Sequence, residues 1–170
     1  MERNKTGSGN RKTKSNCSLF ALLGLIVSAN LTGCSSGAPI LVTDPTEQPI
    51  KDGNDLLKDG KYLDAAEKFS LVIELKPKLA EGYTKRGIAE AALRQNDKAL
   101  SDLNKSIDLD ATDGEAFYTR GMVYYEKGET KKTYEDLQKA AGIYLKQGKK
   151  DECDKVVKKL DELSGVPHPQ

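Results

Sequence analysis

The chain has 170 residues, 37% hydrophobic and 31% charged, with no Trp, one His, three Cys and a formal net charge of +1 at pH 7. So even a balance excludes a general attraction to nucleic acid or anionic lipid, and three Cys exclude a disulfide framework. Abundant Leu, Ala and Lys without Trp suit a helical rather than a β-rich chain.

Residues 1–16 carry Arg3, Lys5, Arg11, Lys12 and Lys14 against the single acid Glu2. An apolar run from Leu19 to Val27 follows, and then Leu31-Thr32-Gly33-Cys34. A positive segment, a short apolar segment and small residues before a cleavage point have the order of a secretory signal. The apolar run is shorter than the ~20 residues that span a bilayer. The Leu-Thr-Gly-Cys end resembles a bacterial lipobox. That resemblance implies cleavage after residue 33, acylation of Cys34 (palmitate-type chains included) and a lipoprotein anchored to the membrane. Residues 34–45 have linker composition and are expected to tether the remainder flexibly. Ser35 after the lipidated Cys leans towards the outer membrane. Without residues 1–33 the acids outnumber the bases by three, so the anchor and not net charge would hold the chain to a surface.

From residue 46 a 34-residue step appears: Gly53, Gly87 and Gly121. The same step joins Ala65, Ala99 and Thr133, joins Phe69, Leu103 and Leu137, and joins Ile73, Ile107 and Ala141. Tyr83 and Phe117 each stand four residues before a step glycine. A period of this length signals stacked helical hairpins. Phe69, Val72, Ile73 and Leu75 fall near one helical stripe. A step glycine lets two helices approach closely, and Ala65 and Ala99 are expected to face it. Gly60 and Gly128 suit left-handed helix ends, and Asn96 is expected to cap the helix after the second turn. Pro49 fits only within the first turn of its helix.

The segments Tyr83-Thr84-Lys85-Arg86-Gly87 and Phe117-Tyr118-Thr119-Arg120-Gly121 resemble the aromatic-x-x-Arg-Gly form of the tetratricopeptide repeat. The resemblance implies an all-α helical-hairpin solenoid with three repeats, 46–79, 80–113 and 114–147, and a capping helix at 150–163. Seven helices are expected in all. The first repeat departs most, with Pro49 in the aromatic slot and Asp52 where Leu or Arg is usual. The second has Glu90 in the Tyr slot. After Leu137 the columns return out of phase through Ala141, Tyr144, Gly148, Cys153, Val157 and Leu160, so the sixth helix doubles as partner to the seventh. Cys153 reads either as a small buried residue in the Ala column or as a lone thiol. Residues 164–170 read as a disordered tail.

Catalytic chemistry finds little support. The one His, His168, lies in the tail, with no metal-ligand spacing around it. No phosphate loop or nucleophile elbow occurs. The stretch Asp108–Gly114 has Asp113 where a calcium loop needs Gly and Thr119 where it needs a bidentate acid, so it reads as an inter-repeat turn. No enzyme activity, cofactor, metal or small-molecule substrate is expected. The resemblance implies instead a partner-binding groove lined by the first helix of each pair. Mapped onto this sequence it takes Ile50, Asn54 and Leu57, then Thr84, Lys85 and Ile88, then Tyr118, Met122 and Tyr125. Tyr124 is assigned to the core. The carboxylate clamp of the chaperone-binding members is incomplete, which favours an apolar or helical segment as ligand. The expectation is a lipid-anchored adaptor or assembly factor for an unidentified envelope protein. It would lie on the bacterial cell membrane or outer membrane, facing the periplasm or the exterior. The alternative is a structural subunit that self-associates.

Overall fold

A computed structural model describes residues 44–165, and within them seven α-helices form and no strand. The signal segment, Cys34, all of the tether before Asp44, and residues 166–170 with His168 lie outside the described residues; Ser164, expected in the tail, is instead the last residue of a helix and Gly165 its cap. The helices are α1 (Glu47–Lys58), α2 (Tyr62–Leu75), α3 (Ala80–Ala92), α4 (Asn96–Leu109), α5 (Gly114–Glu126), α6 (Thr130–Lys146) and α7 (Lys150–Ser164).

The chain entering α1 is fixed by its own chemistry. Asp44 accepts hydrogen bonds at Oδ1 from the Thr46 amide (3.0 Å) and hydroxyl (2.7 Å), and its other oxygen pairs with Lys76 at the end of α2. The Lys76 bond first, then the Thr46 amide and hydroxyl, hold the Asp44 carboxyl well below its usual range. Asp44, expected at the end of a free tether, is thus docked on the first hairpin. Pro49 falls in the first turn of α1, where its missing N–H removes no helical bond.

Each hairpin closes on the step glycine. A Cβ at Gly53 would stand 2.7 Å from Phe69 Cζ, at Gly87 2.9 Å from Leu103 Cγ, and at Gly121 3.3 Å from Leu137 Cγ. The nearest side chains facing the glycines are therefore Phe69, Leu103 and Leu137; Ala99 faces Gly87 as expected, through its carbonyl at 3.4 Å, whereas Ala65 is fully buried one turn before Phe69 and is not among the atoms nearest Gly53. A ring or isobutyl group pressed on bare backbone places each second helix at its distance from the first. Thr133 stands in the Ala column and is 1% exposed; its hydroxyl is satisfied by the Glu129 carbonyl four residues back.

The turns inside the pairs share one form. The amides of Lys61, Gln95 and Glu129 reach back to the carbonyls of Leu56, Glu90 and Tyr124, as in a Schellman end. That geometry demands a left-handed residue, met by Gly60 (φ 74) and Gly128 (φ 76) but by Arg94 (φ 61) in the middle turn. The expectation that Asn96 caps α4 is corrected: Gln95 is the cap residue, and Asn96 Oδ1 is buried without a hydrogen-bond partner. Asp113, by contrast, caps α5 from its side chain, accepting from the Glu115 and Ala116 amides at 3.0 and 3.1 Å. Asp110 holds the turn before it by accepting from Thr112, as expected of an inter-repeat turn.

Helices α1, α3 and α5 pack side by side, while α2, α4 and α6 pack mainly on their hairpin partners and the following inner helix. The chain closes up on the inner side and splays on the outer, so the α1–α3–α5 face is the concave one. The long α6 packs against both α5 and α7, the shared use expected from the shifted columns. The buried residue of α7 is Val156, and Val157, expected there, is 41% exposed. Cys153 is half-buried with its Sγ 3.6 Å from the Ala141 carbonyl. Leu75, placed on the core stripe of α2 by spacing, is 44% exposed because α2 ends there.

Candidate binding surfaces

The concave face gathers most of the residues the repeat columns point to, but not on equal terms. Ile50 and Asn54 flank a shallow depression along α1 with Lys51 and Lys58. Leu57 turns to the first core cluster with Phe69 and Val72. Ile88 and Met122 are half-buried on α3 and α5. Tyr125 is 49% exposed at the end of α5, with Lys159 of α7 6.0 Å from its ring centre. Tyr118 leans on the C-terminal core cluster and lines a small cleft with Glu115, Glu152, Lys155 and Val156. Helix α7 thus forms the far wall of the concave face beside the two tyrosines.

Two of the expected groove residues do something else. Thr84 is 1% exposed. Its hydroxyl donates to Asp113 Oδ2 at 2.5 Å and stands 2.5 Å from the Ser106 hydroxyl. With its only proton given to Asp113, Thr84 must accept from Ser106. The three residues fasten α3 to α4 and to the start of α5, so Thr84 is removed from the groove. Lys85 remains on the concave face but is bound by both carboxylate oxygens of Glu115, at 2.9 and 2.7 Å. Arg94 reaches Glu126 at 2.5 Å, and these two pairs tie α3 to α5 across the face. Tyr124, assigned to the core, is half-buried on the other face of α5, its ring under Lys132 at 4.9 Å and Arg120 at 6.0 Å.

A second repeating constellation escaped the sequence reading. Arg86 makes paired bonds to Asp102 (2.6 and 2.9 Å) and a third to the Ser70 hydroxyl. Arg120, 34 residues on, makes paired bonds to Asp136 (2.7 and 2.8 Å) and a third to Asn104. Asp102 and Asp136 are 7% and 4% exposed, so these are buried forks rather than surface pairs. In the first repeat the same two positions hold Asp52 and Lys68 with the charges exchanged, a looser exposed pair at 3.9 Å. The signal was present: an acid or base sixteen residues after its opposite, repeated at the 34-residue step. It gives Asp52 a partner at the position where the usual pattern has Leu or Arg.

Among the described residues no cluster of His, Cys, Asp or Glu has the arrangement of a metal site, and no helix is long and apolar enough to cross a membrane. The Tyr144 phenol is pushed up to about 12, first by burial and then by Glu115 and Asp113 nearby, which marks it as a packed neutral ring against Gly114.

No protein-family model matches the sequence. Among curated proteins, the chain is 31% identical over 93 residues to Hsp70-Hsp90 organizing protein 2 of Arabidopsis thaliana, covering 55% of this chain and 16% of that protein. It is 25% identical over 146 residues to DnaJ homolog subfamily C member 3 of Bos taurus, covering 86% and 28%. The chain thus spans less than a third of the length of either relative. Among solved structures, PcrH in complex with the chaperone-binding region of PopD superposes with a TM-score of 0.65 at 16% identity, over 70% of this chain and 90% of that one. The second TPR of Spaghetti (RPAP3) bound to an HSP90 peptide superposes at 0.55 with 23% identity, over 58% and 91%. The fold is therefore of the tetratricopeptide-repeat type, a helical-hairpin solenoid.

Proposed function

We propose that the protein is a lipid-anchored adaptor or assembly factor of the bacterial cell envelope, which holds a partner protein through the concave face of its repeats. Cys34 is the acylated residue, and residues 35–43 connect it to the docked Asp44. The observation that carries the binding reading is the row of Tyr118, Met122 and Tyr125 on α5, with the two tyrosines beside α7 and Tyr125 half open to solvent. Aromatic side chains give much contact area at little ordering cost, Met adds an adaptable apolar surface, and such residues are enriched at interfaces. The Lys85–Glu115 and Arg94–Glu126 pairs already satisfy the charges between α3 and α5. This supports an apolar or helical segment as the ligand rather than a free carboxylate. Confinement by the lipid raises the effective concentration of both partners without any new contact.

The membrane part is tested by Cys34→Ala, which should move the protein from the membrane to the soluble fraction; unchanged fractionation refutes it. The groove is tested by cross-linked retrieval from envelope extracts with wild type and with Met122→Ala/Tyr125→Ala. Retrieval of the same protein by both, at equal yield, refutes the groove as the binding surface. A self-associating structural subunit is the second reading, supported by the apolar Leu145 (72% exposed) and Val157 on the last hairpin. Sedimentation of a chain beginning at Ser35 decides it, since a clean monomer removes that reading.

A further inference from the structure

The outer, convex face carries two furrows related by the repeat, and they differ. The furrow between α4 and α6 is floored by α5. There the Tyr124 ring lies under Lys132 (4.9 Å) and Arg120 (6.0 Å), and an Asp97–Lys127 ion pair (2.7 Å) joins the start of α4 to the end of α5. The furrow between α2 and α4 is floored by α3. Stepping back 34 residues replaces Tyr124 with Glu90, Asp97 with Leu63, Lys127 with Leu93 and Lys105 with Leu71. The ring and the ion pair are gone, and apolar side chains stand in the open: Leu63 is 63% and Leu71 41% exposed. Glu90 lines the floor with its Oε2 out of solvent contact and without a hydrogen-bond donor. Burial first, and the Asp102 charge second, raise its carboxyl above the usual range.

An unpaired, partly desolvated carboxylate is unfavourable, and a cation delivered to it recovers that cost. The charges around it agree on the sign. Arg86 is already held by Asp102, Glu67 and Glu74 add negative charge on the α2 wall, and Lys98 is the one remaining base in the furrow. We infer that the α2–α4 furrow is a second docking site, for a basic apolar segment of a partner protein that sets one arginine or lysine on Glu90 and apolar side chains on Leu63, Leu71 and Leu93. Leu63 and Leu71 lie two helical turns apart, about 12 Å, so the segment presents apolar groups on both sides of its cation. Rotation about the last torsion of Glu90, a soft one, turns both oxygens to an incoming guanidinium. This site is on the opposite face from the concave groove and does not depend on what that groove binds.

The test uses the full chain and a synthetic helical peptide with one arginine between leucines, against the same peptide with citrulline, its neutral counterpart. Binding is followed by anisotropy and by NMR of leucine and isoleucine methyl groups. The arginine peptide is expected to bind at least tenfold more tightly and to shift Leu63, Leu71 and Leu93. Glu90→Gln should remove the difference between the peptides. Glu90→Tyr, which rebuilds the Tyr124 arrangement, and Leu71→Lys, a surface change, should each abolish binding while the helical signal and melting persist. Tyr125→Ala should leave peptide binding unchanged, which separates this site from the concave one. Equal affinity for the two peptides, binding indifferent to Glu90, or shifts confined to Ile88 on the concave side overturn the inference. So does a self-dimer that Glu90→Tyr dissociates, since a second copy would then be the occupant.

Discussion

Replacing Arg120 by Met is the sharpest test of how the solenoid is held. The guanidinium makes two parallel bonds to Asp136 and one to Asn104, and lies 5.3 Å from the centre of the Phe117 ring. Asp136 is 4% exposed, and its only donors among the described side chains are on Arg120. Met keeps most of the volume but leaves a buried carboxylate alone, a loss of about 3–5 kcal/mol where one member of a buried pair is removed. For a domain of this size that corresponds to a fall of about 10–20 °C in Tm. The same change in the first repeat, Lys68→Met, breaks a pair whose side chains are 44% and 41% exposed at 3.9 Å, worth no more than about 1 kcal/mol. Urea unfolding followed by far-ultraviolet circular dichroism measures both. The double change Arg120→Met/Asp136→Leu should return most of the stability, because no charge is then stranded. If Arg120→Met costs no more than Lys68→Met, the buried fork is not a major support and the reasoning fails.

Other outcomes follow from single positions. Gly87→Ala should destabilise by about 1–3 kcal/mol, because its methyl meets Leu103 at 2.9 Å and the Ala99 carbonyl at 3.4 Å; Gly121→Ala, with nothing nearer than 3.3 Å, should cost less in the same urea experiment. Arg94→Gly should raise stability by up to about 1 kcal/mol, since the relief of a left-handed side chain exceeds the loss of an exposed pair to Glu126. In a spectrophotometric pH titration one of the seven tyrosines should ionise near pH 12. The folded state then binds the Tyr144 proton more tightly than the unfolded state, so stability falls as pH rises from about 10 to 12; Tyr144→Phe should remove that dependence. Glu90 behaves the same way at lower pH. Its raised carboxyl makes stability fall as pH rises through the range just above the ordinary glutamate value, and Glu90→Gln should flatten that slope in melting curves taken at several pH values.

What the sequence determined by itself is whatever recurs. The 34-residue step fixed the three helix pairs, the closure of each pair on a glycine and the left-handed turns at Gly60 and Gly128, and the out-of-phase return of the columns after Leu137 gave the seventh helix, because each depends on residues close in the chain and repeated in kind. It also held the buried forks, had Arg86 and Arg120 been read together with Asp102 and Asp136. Tertiary structure decided what becomes of residues that look alike in their columns. Thr84 and Lys85 share the groove face by spacing, yet a network with Ser106 and Asp113 takes the first into the interior and Glu115 claims the second; these partners lie 22 to 30 residues away, beyond any local pattern. Val156 rather than Val157 is buried because it is the one that reaches the cluster of Phe117, Leu137, Ala140 and Tyr144 brought in by α5 and α6. Glu90 was visible as a departure from the repeat. Only the packing of α2 and α4 about α3 showed that the departure leaves a carboxylate on the floor of an open apolar furrow, whereas its counterpart Tyr124 lies under Lys132 and Arg120 in the next one. Burial depends on which side chains arrive from elsewhere, and that is settled when the hairpins stack.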